Sequence, residues 1–482
     1  MMTMVPQTKK PLFERCQPAI IQYEATDMKT HRPNCVTTRF AAGGHQKSEC
    51  NRMIQLSTFK ADITPPIGHP LCAGWYPPAR AVADPLSALG LILLPEGQAP
   101  IVLCALDWAE LSNGDYDRWR GELAAAVGTQ ADRVAVHCIH AHDTPWPDRD
   151  AQDLLDAHGY PDVIMAGDWS ERVRAAAAGA AAAAMDELQS CTDISLGEAK
   201  VDRIASNRRV MGEDGKVWAV RWTKTPDPAV RAAPEGLIDP LLKTIGFWQG
   251  DRALAMLHYY AVHPTSMDGT GIVTPEFVGL ARNRRSEEQG VPHLYFTGCG
   301  GNVTAGKYND GIADNRALFS ERIYNAMAAA EEGAKRQPLD RLRWVVESVC
   351  LPPREDLDEQ TLLAELGSAD ESAKVHSKAA LMLTYLRRRE RPIPFTCLHL
   401  NDRVAIVHLP GETFIEYQLH AQATRPDAFV AVAGYGDLGT GYITLASSFD
   451  EGGYEPVDAF VSGASEAVMR AAIDKVLTVA TG

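Results

Sequence analysis

Two histidines one residue apart, His140 and His142, end the apolar run VAVHCI. In an extended chain, residues i and i+2 point to the same side. Both imidazoles can then face one site at the C-terminal end of a strand, where α/β proteins place their active sites. Asp143 and Thr144 follow as candidate outer partners. The plain alternative is a histidine pair on a surface turn. His263 closes the run ALAMLHYYAVH just before Pro264. A proline cannot continue a central ladder, so His263 is expected at a sheet rim, either as a ligand or as an ordinary hydrogen-bonded histidine. Glu412 follows the Pro410-Gly411 turn that ends VAIVHL, and taken alone it reads as a capping or solvated carboxylate. Tyr442 and Tyr454, in GYITLASSFDEGGYEP, read alone as packing residues. The glycine-rich TGCGGNVTAG (297–306) follows an apolar run. Such a loop can offer backbone N–H groups to an anion, and Thr304 can serve as nucleophile or hydrogen-bond donor. It fits neither the phosphate-loop nor the dinucleotide-binding pattern.

The elements that must position these residues are legible from their punctuation. LSTFKADITPP reads as a strand ending in a proline-rich turn. LGLILLPEGQAPIVLCALDWAEL reads as two strands paired across Pro-Glu-Gly, and YDRWRGELAAAVG as a helix stopped by glycine. The stretch 168–188 predicts a helix with Asp168 as cap, Glu171 as its capping-box partner, and an alanine face close-packed on a sheet. DRVAVHCIHAHD, ALAMLHYYAVH, HLYFTGCGGN and VAIVHLPGETF read as strands, and ALFSERIYNAMAAAEEGAKR and EAVMRAAIDKVLTVA as helices. Residues 355–391 are charge-rich and helical in pattern, as an insertion or a lid would be. Strands and helices interleave throughout, which predicts a layered α/β or α+β fold. Residues 1–52 are polar and without period, as expected of a disordered tail.

The 482 residues exceed one ordinary core, so subdomains or one large α/β unit are expected. A net charge of −15 argues against nucleic-acid partners and anionic membranes. No apolar run reaches the ~20 residues that span a bilayer, so no integral membrane contact is expected. The first residues lack a signal-peptide core. The ten cysteines include no C-x-x-C pair, and several sit in apolar runs, as reduced buried thiols do. A cytoplasmic location is expected.

Together, and in this order, the segments resemble the neutral/alkaline ceramidase family. KADITPP resembles its opening strand, IHAHDTP its H-T-H-S-G-P segment and YYAVHPTSM its A-V-H-x-T-S-M segment. GGNVTAG resembles its G-D-V-S-P-N loop, and LPGETF its P-G-E turn. Tyr442 and Tyr454, the latter followed by Glu455, match its Y-[IV]-T-T…Y-E spacing. The resemblance runs from about residue 56 to 460 and implies a mixed α/β catalytic domain over 53–482 with layered sheets flanked by helices. It also implies one zinc per chain, held by His140, His263, Glu412 and Tyr442. His142 would be the acid/base beside the attacking water, Tyr454 would steady the reacting carbonyl, and Arg208, in ASNRRV, would line the pocket. The implied reaction is hydrolysis of a linear N-acyl amide, with zinc acidifying water to a pKa of ~7 and a histidine moving protons.

The chain departs from that pattern in carrying Asn302 and Thr304 where the family has Asp and Ser. It also has room for only one helix after YEP, not the family's C-terminal β-sandwich, and it lacks the secretion signal common in that family. A smaller, more soluble amide or ester is therefore as much expected as ceramide. An esterase or lactonase on the same site, and a non-catalytic binding protein of the same fold, are the alternatives.

Overall fold

A computed structural model describes residues 53–368 and 372–478. The expected tail, 1–52, lies outside the described residues. The two apolar runs around Pro95-Glu96-Gly97 pair as expected, with Ser87–Pro95 antiparallel to Ile101–Leu106. They lie in a five-stranded sheet ordered Val134–Cys138, Ile101–Leu106, Ser87–Pro95, Ile54–Asp62, Gln189–Cys191. A second five-stranded sheet runs His293–Thr297, Arg252–Tyr260, Leu241–Gln249, Asp193–Lys200, Lys335–Pro338. A third, of four strands, runs Leu342–Val349, Ile393–Leu400, Val404–His408, Phe429–Ala433. The layered, mixed α/β expectation holds.

Helices cover these sheets where their small or apolar faces allow. Trp169–Ala184 packs along Ile54–Asp62, with Ala177 and Ala181 fully buried. The alanine face permits the close approach expected of it. The capping box does not form. Asp168 has φ −102° and ψ 13°, outside the extended conformation a cap requires, and makes no capping bond. Its carboxylate pairs with Arg172 instead. The segment 355–391 is helical as expected, in Glu359–Leu366 and Ala373–Arg388. The second of these buries Leu381, Leu383 and Tyr385 in the core cluster beneath the third sheet. Cys350 is part-buried, and Cys72, Cys104, Cys138, Cys191, Cys299 and Cys397 are buried free thiols. Among the described residues, no helix is long and apolar enough to cross a membrane.

Each large sheet is mostly antiparallel but carries a parallel pair at one edge. Ile101–Leu106 pairs with Val134–Cys138, Arg252–Tyr260 with His293–Thr297, and Val404–His408 with Phe429–Ala433. Strands of a parallel pair end on the same side, so each pair releases two loops together. Of the outermost strands of these pairs, His293–Thr297 abuts both Val134–Cys138 and Phe429–Ala433. Cross-sheet bonds stitch their ends: Cys138 N–H to Tyr435 O at 2.9 Å, Gly434 N–H to Thr297 O at 2.9 Å, and Thr297 Oγ1 to Ile139 O at 2.6 Å. The loops of three sheets thus converge on one place.

Candidate metal centre

His140 and His142 enter from the first sheet. The strand ends at Cys138, and His140 takes the left-handed conformation at φ 63°. The two rings therefore do not share a face by strand alternation, as the i, i+2 reading expected. A turn brings them together, at 5.1 Å between centroids. Non-glycine residues adopt positive φ only at a cost, so surrounding bonds must hold it. His140 N–H donates to Trp108 O at 3.0 Å, and Thr144 Oγ1 closes the turn on Ala141 O at 2.6 Å. The Asp143 carboxylate accepts from the N–H groups of Thr270 and Gly271 at 3.1 and 3.0 Å. Both candidate outer partners therefore brace the loop and do not touch the imidazoles.

His263 lies three residues past the strand Arg252–Tyr260, donating its N–H to Val303 O at 2.8 Å. It is beyond the strand end, as expected, yet buried. Glu412 and Tyr442 come from the third sheet. Past their strands, Glu412–Thr413 and Tyr442–Ile443 pair again as a short parallel ladder that sets Glu412 opposite Tyr442. Gly411 makes the turn at φ 68°, and a Cβ there would lie 2.5 Å from Thr440 Oγ1. Gly301 is required by contact: a Cβ would meet Glu412 O at 2.4 Å.

The protons of this cluster can be assigned from its outer bonds. His140 Nδ1 faces Ala109 O at 3.0 Å, and His263 Nδ1 faces Gly300 O at 2.8 Å. A carbonyl only accepts, so each ring carries its proton on Nδ1 and turns an Nε2 lone pair inward. Burial pushes both imidazoles well below their ordinary pKa and keeps them neutral. The two Nε2 atoms lie 3.0 Å apart, and Glu412 Oε2 lies 3.4 and 3.2 Å from them. Tyr442 Oη is 3.5 Å from His263 Nε2. Glu412 Oε2 is buried without a hydrogen-bond donor. His140 Nε2, His263 Nε2 and Glu412 Oε2 have no proton among the three, and such converging lone pairs repel one another unless a cation sits among them. A tetrahedron with zinc–ligand arms of about 2.0–2.1 Å has edges of about 3.3–3.4 Å. The observed spacings, 3.0–3.5 Å, fit such an ion.

Around the donors, His142 is part-buried, with Nε2 3.4 Å from His140 Nε2, and burial lowers its pKa to about 4. Tyr454 Oη is 2.7 Å from Tyr442 Oη. The buried Arg208 guanidinium donates to Tyr442 Oη at 3.0 Å, to Tyr454 Oη, and to Gly301 O at 3.3 Å. Burial alone would lower the Arg208 pKa, but Tyr454, Tyr442, Glu455 and Glu412 outweigh it and hold the cation. Burial first, then Glu412, pushes the Tyr442 phenol up.

Thr304 is bridged to His263 by its backbone, yet its hydroxyl accepts from Gly306 N–H at 3.3 Å and bonds none of the donors. Four N–H groups of the glycine-rich loop are already committed and cannot cradle an anion. Those of Gly298, Cys299, Gly301 and Val303 all donate to protein oxygens. Asn302 uses its side chain to receive Ile415 N–H at 2.8 Å and to donate to Glu416 at 3.0 Å, fixing the helix Ile415–Thr424.

Three residues at the site have no expectation from sequence. Tyr435, also at positive φ (61°), stacks on His140 at 4.4 Å between centroids. Glu110 places Oε1 3.9 Å from His140 Nδ1, and burial, then Glu412, raises its carboxyl well above the ordinary range. Its position just past a parallel strand was a usable signal. Tyr76 Oη lies 3.0 Å from His142 Nδ1.

A second histidine cluster, His258, His293 and Glu331, sits beneath the helix Glu276–Gln289. His258 Nε2 is 2.8 Å from His293 Nδ1, and His258 Nδ1 is 2.9 Å from Thr244 Oγ1. His293 Nε2 is 3.1 Å from Gln289 Oε1, and Gln289 Nε2 donates to Glu331 at 2.7 Å.

No family model matches the sequence, and no curated protein matches it. Among solved structures, a ceramidase complexed with C2 superposes with a TM-score of 0.67 at 14% identity, covering 88% of this chain and 75% of that one. The neutral ceramidase from Pseudomonas aeruginosa superposes with a TM-score of 0.64 at 14% identity, covering 88% and 74%. The resemblance carried by the motifs extends to three dimensions, and the chain has the fold of the neutral ceramidases.

Proposed function

We propose that this chain is a zinc-dependent hydrolase that cleaves a linear N-acyl amide, with one zinc held by His140, His263, Glu412 and Tyr442. The observation that carries this reading is the convergence of His140 Nε2, His263 Nε2 and Glu412 Oε2 at 3.0–3.4 Å with no proton among the three, and with Tyr442 Oη 3.5 Å from His263 Nε2. Zinc in an N/O donor set supplies Lewis acidity, acidifying water to a pKa of ~7 and polarising a carbonyl.

The protein's own groups then divide the work. His142 stands at the edge of the donor set with its ring neutral. It takes the proton of the attacking water and returns it to the leaving nitrogen. Tyr454 donates its O–H to the oxygen that becomes anionic when the substrate carbonyl is attacked. Arg208 holds the Tyr454 and Tyr442 oxygens in place and adds positive charge beside them. Thr304 supports the loop through Gly306; its hydroxyl is not the attacking group.

The amide preference rests on the neutral ceramidases that share the fold. The test uses chelator-stripped and zinc-reloaded full-length chain with a matched amide and ester of one acyl group. Turnover of the amide that is lost on stripping and restored by zinc is expected. Turnover of the ester alone would replace the amidase reading with an esterase. No turnover of either, in a protein that binds zinc, would leave a binding protein.

A further inference from the structure

We propose that Tyr76 and Asp268 are positioning residues that hold His142 in its Nδ1–H tautomer, leaving the Nε2 lone pair turned toward the donor set. Tyr76 Oη stands 3.0 Å from His142 Nδ1 and 3.5 Å from Asp268 Oδ2. Asp268 Oδ2 also receives the Thr223 hydroxyl at 2.9 Å. A carboxylate only accepts, so the hydroxyl of Tyr76 satisfies it by donating to Asp268. Tyr76 Oη is then an acceptor toward the ring, and His142 must donate from Nδ1.

The opposite assignment, Tyr76 donating to Nδ1, would place a proton on His142 Nε2. That proton would point at His140 Nε2 3.4 Å away, in a region where His140, His263 and Glu412 hold a cation in the reading above. A proton aimed at a cation is repelled, whereas a lone pair there can receive a proton from water. The chain His142–Tyr76–Asp268–Thr223 therefore sets the ring's chemistry from outside the donor set. The ring of Tyr76 leans on that of His142 at 5.8 Å between centroids, so orientation is shared between ring contact and hydroxyl. Asp268 is solvent-exposed, which places the anchor of the chain at the surface and its working end inside.

The catalytic part of this inference rests on the hydrolase reading; the tautomer rests only on the metal site within it, not on any turnover. The test is therefore made first by long-range proton–nitrogen correlation NMR on zinc-loaded, histidine-labelled full chain. His142 is expected with the proton on Nδ1, and Tyr76→Phe, which removes only the hydroxyl, is expected to shift it toward Nε2–H. An Nε2–H ring in the unmodified protein, or no change in Tyr76→Phe, overturns the proposal. With a turned-over substrate, Tyr76→Phe should lower kcat by about 10–100-fold, the usual effect of losing an outer partner. KM and zinc content should stay near their original values. Asp268→Asn, which keeps an acceptor oxygen, should lose less than Asp268→Ala. Loss of zinc in Tyr76→Phe would mean a merely structural role, and a rise in KM alone would mean a substrate contact. Either contradicts the proposal. If no substrate is turned over, the hydrolase reading fails while the NMR result still decides this one.

Discussion

Among the described residues lie two buried histidine–carboxylate clusters, and only one of them brings acceptors together with no donor among them. In the first, His140 and His263 give their Nδ1 protons to backbone carbonyls and turn lone pairs toward each other and toward Glu412. In the second, every proton has a place. The Thr244 hydroxyl donates to His258 Nδ1, His258 Nε2–H to His293 Nδ1, His293 Nε2–H to Gln289, and Gln289 to Glu331. Both clusters bring nitrogen and oxygen atoms within metal-binding reach of one another. Proximity of histidines and carboxylates therefore does not mark a metal site. A set of acceptors with no donor does.

The contrast can be broken at its strongest point first. His263→Ala should lower kcat/KM by about 10³-fold or more, beyond the scale of losing one electrostatic stabiliser, because the ion leaves with the ligand. Steady-state kinetics on a cleavable amide measures this, and near-unchanged turnover would dissolve the first cluster as a reaction centre. His142→Ala should keep its zinc and still lose about 10²–10⁴-fold in kcat, the contribution of a positioned acid/base. If zinc falls with it, His142 is a ligand. In the second cluster, His293→Leu should leave activity intact and cost about 1–3 kcal/mol in urea unfolding, since His258 Nε2–H loses its acceptor.

Acid should reveal the second cluster too. Burial, then Arg285 and Arg282, pulls His293 from 6.5 to about 3, and burial, then His293, pulls His258 well down. The folded protein keeps both rings neutral below pH 6.5, while the unfolded chain takes up protons there. The unfolded state binds more protons, so stability falls as pH drops from 6.5 toward 3 and is unaffected by these rings above that range. His293→Leu should make that slope shallower by up to about 1.4 kcal/mol per pH unit. An unchanged slope, read from unfolding midpoints across the range, would mean His293 is not held neutral. The smallest effect is expected at Thr304→Ser, within about threefold in kcat. Burst kinetics showing an acyl-enzyme lost in Thr304→Ala would restore the hydroxyl as nucleophile.

Much of this was legible in the chain. The strands around Pro95-Glu96-Gly97 and the alanine-faced helix announce themselves by period and punctuation, and their bonds are local. His140, His263, Glu412, Tyr442, Tyr454 and Arg208 were each placed in the site by motif, and they converge. Strand alternation does not make the His140–His142 pair, because His140 stands at positive φ, held by its N–H bond to Trp108 O and its stack on Tyr435, which neighbouring residues do not announce. Asp168 followed a capping pattern that its backbone angles do not permit. The glycine-rich loop showed N–H groups in sequence, but their acceptors, Tyr260, Gln418 and Thr413, are distant in the chain. Tyr76 and Tyr435 went unread for the same cause: Tyr435 meets His140 across almost 300 residues.

One cluster is proposed to hold an ion and the other only protons. Elemental analysis of tag-free protein, counted per chain, tests it directly. About one zinc per chain is expected in the unmodified protein and in His293→Leu, falling toward zero in His263→Ala and Glu412→Gln. Zinc that survives Glu412→Gln and His263→Ala but disappears in His293→Leu would contradict the assignment, as would a chain that stays metal-free after incubation with zinc.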